Sequence, residues 1–407
     1  MTLIQPFRAL RPAEGRAAEV LAPPYDVLSG AEARERAKDK PWSFLHISRP
    51  EIDLGPGMDP HDRAVYAKAA ENLDRMITSG ILMRDDKPSY YVYRLTWHDR
   101  QQTGLAAIAS LADYADNRIR KHELTTPVKE DDRVRQIEAV DAQTGPVMIA
   151  YPAAPDIDAI LGRAAARTPV VDVTADDGVR HQLWVIDDDE AIAALTRAFD
   201  KLPAIYIADG HHRSAAAARV ADGRGARVGS HRYFLSVLFP HHEMTILDYN
   251  RVIRDLNGRT PAQLLAELRK RMTVEAADAA VRPTRASEFG MHLAGRWYRL
   301  KLPAEAVPTG DPIGRLPITL LAHNVIEPLF GITDPRTDNR IDFVGGGRGL
   351  EELERRVASG EMAVAFALYP TQMADLMAVA DAGGIMPPKS TWFEPKLADG
   401  MVSHVLD

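Results

Sequence analysis

The chain has 407 residues, of which 45% are hydrophobic and 26% charged, a composition typical of a soluble globular protein with two or three domains. Its formal net charge of −7 argues against binding to a nucleic acid backbone as the main function, because such proteins usually carry a basic surplus. The absence of cysteine excludes disulfides, thiolate metal sites and cysteine nucleophiles.

The N-terminal residues and the hydropathy of the chain favour a cytoplasmic protein. Pro6, Arg8 and Arg11 interrupt the segment that would have to be the apolar core of a signal peptide. No stretch approaches the roughly 18 apolar residues that a membrane helix needs. We therefore expect a cytoplasmic location and no membrane partner.

Helix-like and strand-like patterns alternate irregularly in the first part of the chain, as in mixed α/β or α+β proteins. A one-sided apolar pattern predicts a helix over 63–78, and the strand-like segment 90–97 is expected to pair with 106–111 as a hairpin. The elements expected after them are a charged helix between 126 and 145, strands at 147–151, 170–173, 182–186 and 204–207, and helices at 190–201 and 214–221.

Turn-forming residues at 257–261 mark a candidate domain boundary, since they precede a new amphipathic helix. The last segment, 387–407, is rich in turn formers but also contains lysines, hydroxyls and aromatic residues, so we expect it to be ordered. The elements predicted in this second part are strands at 297–302 and 362–369 and helices at 318–329 and 372–381.

The most informative motif is Asp209-Gly210-His211-His212-Arg213, placed where a predicted strand leads into a helix. A helix N-terminus offers unpaired N–H groups, and a glycine there lets an anion approach closely. Two imidazoles and a guanidinium beside it suit a phosphate group. The simpler interpretation is that Asp209 caps the helix and the histidines are solvated. The density of ionisable groups favours the phosphate site.

Two further polar segments could complete such a site. In 121–126, Lys-His-Glu-Leu-Thr-Thr, Glu123 could project from a strand end as a base, although a solvated charged loop is the simpler interpretation. In 386–391, Met-Pro-Pro-Lys-Ser-Thr, two prolines constrain a lysine and two hydroxyls, with Lys396 close by in sequence. By contrast, 241–243, His-His-Glu, lacks the one-turn spacing of a helical zinc pair and is predicted to be a turn.

Taken together, the motifs resemble the bacterial and archaeal family catalogued as domain of unknown function one thousand and fifteen. The motifs that carry the resemblance follow the family's order: Ala22-Pro-Pro-Tyr-Asp-Val27, His46-Ile-Ser-Arg-Pro-Glu51, Lys121-His-Glu-Leu-Thr125, Ile207-Ala-Asp-Gly-His-His-Arg213, Met386-Pro-Pro-Lys-Ser-Thr391 and Pro395-Lys396-Leu397. The Asp-Gly-His-His-Arg (DGHHR) element is similar to the phosphate-binding turn of the ParB and sulfiredoxin superfamily, to which free serine kinases also belong. Sulfiredoxin chemistry itself is excluded, because its cysteine is absent.

The resemblance implies an α+β fold of mixed sheets with flanking helices. A ParB/sulfiredoxin-like phosphate-binding core would lie in residues 1–256, and residues 257–407 would form a second α/β region whose last segment returns to the site. Some family members are linked with serine metabolism and phosphorylate free serine. This sequence has Ser214 where an aromatic residue commonly follows the arginine, which leaves the substrate open.

Two kinds of function follow from this. The first is a cytoplasmic phosphotransferase acting on a small hydroxylated metabolite such as free L-serine, with ATP, ADP or pyrophosphate as donor, Mg²⁺ as cofactor and Glu123 or Asp209 as base. The second is a nucleotide-sensing or ParB-like regulatory protein without turnover. The residues expected to contact phosphate or substrate are Tyr25, Asp26, His122, Thr125, Gly210, His211, His212, Arg213, Lys389, Ser390, Thr391 and Lys396.

The motifs near residues 25, 123, 211 and 389 are expected to line one cleft, since polar motifs without a role would be scattered over the surface. The acidic net charge and the several separated polar motifs favour an enzyme, with a small-molecule partner and no nucleic acid. The acceptor, the donor, the direction of transfer, the metal ligands and the oligomeric state stay open at this point.

Overall fold

The computed structural model describes residues 2–55, 57–225 and 229–407. Within these residues the contacts separate two units, a first one that extends to Met244 and includes Pro395–Asp407, and a second one over Thr245–Glu394. This division falls before the boundary expected at 256/257, because the strand Tyr249–Ile253 pairs with two strands of the second unit. The last segment belongs to the first unit.

Strands and helices alternate along the chain. The described strands are β1 (Ile4–Gln5), β2 (Ala9–Pro12), β3 (Leu82–Arg84), β4 (Tyr90–Trp97), β5 (Arg100–Ser110), β6 (Ile119–Arg120), β7 (Ala142–Gln143), β8 (Val147–Tyr151), β9 (Val171–Thr174), β10 (Arg180–Ile186), β11 (Ile205–Asp209), β12 (Tyr233–Pro240), β13 (Thr245–Leu247), β14 (Tyr249–Ile253), β15 (Thr273–Ala277), β16 (Glu288–Leu293), β17 (Arg296–Lys301), β18 (Ile341–Gly345), β19 (Val364–Leu368), β20 (Trp392–Glu394) and β21 (Ser403–Val405). The described α-helices are α1 (Ala17–Val20), α2 (Gly30–Ala37), α3 (Leu45–Ser48), α4 (Arg63–Thr78), α5 (Leu111–Ala115), α6 (Pro127–Val140), α7 (Pro155–Ala165), α8 (Asp189–Asp200), α9 (His211–Arg224), α10 (Pro261–Arg269), α11 (Pro317–Leu321), α12 (Glu351–Ala358) and α13 (Met373–Asp381).

The first unit is built on a mixed sheet with the strand order β6-β11-β8-β12-β5-β4-β10-β9, and β1 pairs with the end of β5. β11 runs parallel to β6 and antiparallel to β8, whereas β12 runs parallel to β8. A smaller antiparallel sheet has the order β3-β2-β21-β7, so the C-terminal strand completes it. The mixed sheets and flanking helices confirm the predicted α+β class.

The central strands of this sheet are apolar on both faces, because helices or loops cover each side. Every residue of β12 is buried, and so are five of the eight residues of β4. Gly104 of β5 is required by this packing, since a Cβ at that position would lie 2.6 Å from the backbone oxygen of Leu238. A side chain there would force the two strands apart.

The helices bury the faces that their sequences predict. α4 begins where the Asp62 side chain accepts a hydrogen bond from the Ala64 N–H at 2.8 Å, and it buries one apolar side against a cluster that includes Phe44. α6 and α9 pack together through Ile137 and Val220. This packing sets the start of α9 near the start of α6.

The second unit has an antiparallel sheet with the order β15-β17-β16-β19-β14-β18, and β13 pairs with β20. Its core includes Val252, Trp297 and Leu353, from strands and helix α12. The helix predicted over 318–329 is present as α11, followed directly by a π-helical segment, Ala322–Phe330, that contains Pro328. Among the described residues, none of the helices combines the length and the hydropathy that a bilayer-spanning helix requires.

Candidate active site

The DGHHR motif forms a tight turn between β11 and α9. The helix begins at His211, earlier than the predicted Ser214, because Gly210 adopts a left-handed conformation with φ 96° and serves as the N-cap. A Cβ at this position would lie 3.3 Å from the Val147 Cα, so the turn needs glycine for its space as well as for its backbone angle. No side chain caps the helix, which leaves its first N–H groups without a side-chain acceptor.

Asp209 is the last residue of β11, and both of its carboxylate oxygens are engaged. Lys396 Nζ donates to Oδ2 at 2.8 Å, and the Gly210 N–H donates to Oδ1 at 2.9 Å. Burial raises the pKa of Asp209, but the charges of Lys396 and Arg213 outweigh it and hold the pKa well below its usual range. Asp209 is therefore an ionised carboxylate with a positioning role and is poorly suited to accept a proton.

Arg213 links the DGHHR turn to the first motif of the chain. Its NH1 donates to the Pro146 backbone oxygen at 2.8 Å, and its NH2 lies 3.6 Å from Asp26 Oδ1. The guanidinium lies 5.4 Å from the centre of the Tyr25 ring. Burial acts to lower the pKa of Arg213, and the surrounding carboxylates, Asp26 first among them, raise it above its ordinary value. The charge of this arginine is permanent.

A third carboxylate, Asp399, lies beside Arg213 and was not singled out by its sequence pattern. Its side chain is buried, and Oδ1 has no hydrogen-bond partner among the described residues. Burial raises the pKa of Asp399 to about 7, although Arg213 opposes the shift. In the sequence it belongs to one of four Asp-Gly pairs, and its only signal is its position three residues after Lys396.

A small cavity adjoins Asp399 and Arg213. Its volume of about 30 Å³ has room for roughly one or two water molecules. Tyr25, Arg133 and Gln136 contribute polar groups to its lining. Backbone hydrogen bonds between Ala22 and Asp399, at 2.9 and 3.1 Å, hold the carboxylate against this lining.

A cluster of two histidines and one glutamate lies at the ends of β6 and β11. Because these strands are parallel neighbours, the residues that follow them meet at one edge of the sheet. The His122 and His211 rings contact each other edge to face with centroids 4.5 Å apart, and His211 Nδ1 lies 3.6 Å from Glu123 Oε2. Burial lowers the pKa of His122 to about 4 and holds the pKa of His211 well below its usual range. Both imidazoles are neutral near pH 7.

The remaining predicted residues of the first unit, Thr125 just before α6 and His212 on α9, lie close to the start of α6. The Thr126 N–H donates to His212 Nε2 at 3.1 Å, so the proton of the neutral His212 ring is on Nδ1. The Thr125 hydroxyl donates to Glu130. The first unit thus gathers Tyr25, Asp26, His122, Glu123, Thr125, Asp209, Gly210, His211, His212, Arg213 and Lys396.

Lys389, Ser390 and Thr391 belong to the second unit. The Lys389 backbone has a φ of 58°, its carbonyl accepts from Arg251 NH2 at 2.9 Å, and the Ser390 hydroxyl donates to the Pro387 oxygen at 2.5 Å. These bonds account for the constrained backbone expected from the two prolines. The expectation that these three residues share a cleft with His211 stays a prediction.

A family model described as "Protein of unknown function (DUF1015)" matches residues 4–319. The chain belongs to this family. The match confirms the resemblance drawn from the motifs, and it includes Tyr25, Asp26, the segment 121–126 and the DGHHR turn. The family's description assigns no activity, so the function has to be argued from the geometry of the site.

Comparison with other proteins adds distant similarities of overall structure. The curated proteins compared with the chain include no match. A free serine kinase variant in complex with AMP is 12% identical, with a TM-score of 0.36 over 68% of this chain and 84% of that one. SbnI with a C-terminal truncation, from Staphylococcus aureus, is 12% identical, with a TM-score of 0.39 over 73% of this chain and 86% of that one. A conserved hypothetical protein from Pyrococcus furiosus has 12% identity and a TM-score of 0.34 over 70% of this chain and 91% of that one.

Proposed function

We propose that the protein is a phosphotransferase that moves a phosphoryl group from ATP, ADP or pyrophosphate to the hydroxyl of a small metabolite, with free L-serine as the first acceptor to test. The observation that carries the proposal is the uncapped N-terminus of α9 beside the permanently charged Arg213. Backbone N–H groups, a positive dipole end and a guanidinium together provide the charge-assisted donors that a phosphate group needs.

The residues around the turn have separate tasks in this proposal. The N–H groups at the start of α9 and Arg213 bind the donor phosphate, and His212 adds a neutral Nδ1–H donor. Lys396 neutralises part of the phosphate charge, and the ionised Asp209 holds the ammonium group in place at 2.8 Å. Tyr25 and Asp26 orient the guanidinium of Arg213 from the other side.

Asp399 is the proton acceptor in this proposal, in place of the Glu123 or Asp209 considered from the sequence. A general base works best when its pKa lies near the operating pH, and burial raises the pKa of Asp399 to about 7. The phosphorus–oxygen bond to the leaving group breaks, a bond from phosphorus to the acceptor oxygen forms, and the hydroxyl proton passes to Asp399 through a water in the adjoining cavity. ADP, AMP or phosphate leaves, according to the donor.

Mg²⁺ is the ion that would accompany the donor phosphates, because it prefers oxygen ligands and commonly binds through one or two carboxylates and the phosphates themselves. The ionised Asp209 is the carboxylate at the turn that suits this role. When bound, the ion would neutralise charge on the phosphate oxygens.

The test is to follow phosphate transfer by phosphorus NMR, with ATP, ADP and pyrophosphate each offered with L-serine, L-threonine and other hydroxylated metabolites. We expect a phosphomonoester signal with at least one donor, and its loss in Arg213→Ala. Arg219→Ala is the matched control, because Arg219 lies on the same helix but pairs with Glu130 and Asp131 at the surface. Donor binding without transfer to any acceptor would contradict the enzyme and favour a nucleotide-sensing protein.

A further inference from the structure

The proposed phosphotransfer leaves the two buried histidines near Glu123 without a task. His122 and His211 are 1% and 4% exposed; Nε2 of His211 has no hydrogen-bond partner among the described residues, and the backbone of Ile207 engages at most one of the two ring nitrogens of His122. Buried polar atoms are normally paired, so unpartnered nitrogens on two touching imidazoles point to a ligand that binds them. The feature consists of side-chain nitrogens and uses neither the backbone N–H groups at the start of α9 nor Arg213.

We propose that His122, Glu123 and His211 bind a divalent transition-metal ion of the zinc class. One side-chain donor atom from each residue lies within 4.8 Å of the other two. A tetrahedral zinc ion with bonds of about 2.0–2.1 Å holds its donors roughly 3.3 Å apart, so small side-chain movements bring these three around an ion. The Glu123 side chain is 47% exposed and can make most of that movement.

The donor set distinguishes this ion from the Mg²⁺ that would accompany phosphates. Neutral imidazole suits zinc, cobalt, nickel and iron, whereas Mg²⁺ takes oxygen ligands and keeps several waters. Two imidazoles and one carboxylate also leave a fourth position open, which is the arrangement of catalytic rather than purely structural zinc sites. The ligand at that position would be water or an oxygen of a substrate.

Metal binding can be measured without any substrate. Bound metal is removed from the full chain with a chelator and dialysis, and the protein is titrated with Co²⁺, whose visible absorption reports tetrahedral ligation by imidazole and carboxylate. Zn²⁺ is then added in a competition titration and should displace Co²⁺. We expect one ion per chain and a loss of affinity of at least 100-fold in His122→Gln and His211→Gln. Glu123→Gln should weaken binding by at least 10-fold, and its exposed position makes misfolding of this variant no concern.

His242→Gln is the matched control, because 241–243 presents the same residue types in a turn of the same unit without forming such a donor cluster. Circular dichroism melting of the metal-free variants separates lost binding from lost folding. The proposal is overturned if the wild-type chain binds neither Co²⁺ nor Zn²⁺, if His242→Gln weakens binding as much as the cluster variants do, or if Mg²⁺ competes with Co²⁺ on equal terms. Because the titration contains no phosphate donor, a failure to bind metal would not contradict the proposed phosphotransferase activity. A failure of phosphate transfer would likewise not contradict the metal site.

Discussion

Replacing Asp399 by asparagine keeps the size of the side chain and removes its ionisation, which tests both its environment and its proposed role. The unfolded chain ionises this carboxyl near its ordinary pKa of 3.8, whereas the folded chain ionises it only near a pKa of about 7. The folded state therefore holds the proton more tightly, and stability falls as the pH rises from about 4 to about 7. Proton linkage over that range predicts that the free energy of unfolding of the wild type falls by about 2 to 3 kcal/mol between pH 5 and pH 8. The Asp399→Asn variant should not show this decrease, because it has no ionisable group at that position.

Urea unfolding at pH 5, 6, 7 and 8 measures this difference directly. Asp172→Asn is the matched control, because a hydrogen bond from Arg180 lowers the pKa of Asp172 and keeps that carboxylate ionised over the whole range. The control should follow the wild type, whereas Asp399→Asn should gain stability relative to it as the pH rises. Parallel curves for all three proteins would refute the raised pKa and, with it, the reason for choosing Asp399 as base.

The same variant carries a kinetic expectation. A positioned general base accelerates the chemical step by about a hundred- to ten-thousand-fold. Asp399→Asn should therefore lower turnover by that factor, while its affinity for the phosphate donor stays within a few fold of the wild-type value. Turnover of the wild type should rise with pH and level off above pH 7, as the carboxyl with a pKa of about 7 loses its proton. Full turnover in Asp399→Asn, combined with an inactive Glu123→Gln or Asp209→Asn, would return the base to one of the residues suggested by the sequence.

Three more expectations concern the turn and the charge of the protein. Gly210→Ala should destabilise the fold by about 1–3 kcal/mol in urea unfolding. The reason is that a non-glycine residue at φ 96° is strained and its Cβ would lie 3.3 Å from the Val147 Cα. An unchanged urea midpoint of unfolding would contradict the turn geometry. Lys396→Met should raise the pKa of Asp209, because it removes the closest cation. Carbon NMR of the carboxylate can follow this pKa. The same pKa in the variant and the wild type would show that the 2.8 Å ion pair is not formed in solution. With a net charge of −7, duplex DNA should bind only weakly at physiological salt in fluorescence anisotropy, and tight binding would favour a ParB-like regulator.

Local patterns in the sequence were enough to predict several elements of the first unit. The helix over 63–78 and the strands over 90–97 and 147–151 are confirmed at the same residues. Each depends on hydrophobic periodicity and on nearby turn or capping residues, which act within a few positions of the chain. The junction of strand and helix at the DGHHR motif is likewise local, since it depends on one glycine. The charged helix predicted up to 145 ends at Val140, because Asp141 adopts a left-handed backbone.

The grouping of the site depends on pairings between distant segments, which no local pattern encodes. The parallel pairing of β6 with β11 brings His122 next to His211, and the return of the last segment brings Asp399 to Arg213. The domain boundary also differs from its predicted position for this reason, because turn residues at 257–261 look like a linker while β14 before them already belongs to the second sheet.

Residue type and local order were thus determined by the sequence alone: a chain without cysteine, with the DGHHR turn after a strand and with the motifs of one family. The tertiary structure decided which charges are buried and which groups are neutral. Asp209 and Asp399 both precede a glycine, yet Lys396 keeps the first ionised while burial raises the pKa of the second to about 7. The physical reason is that a pKa depends on desolvation and on charges within a few ångströms, and both are properties of the folded chain.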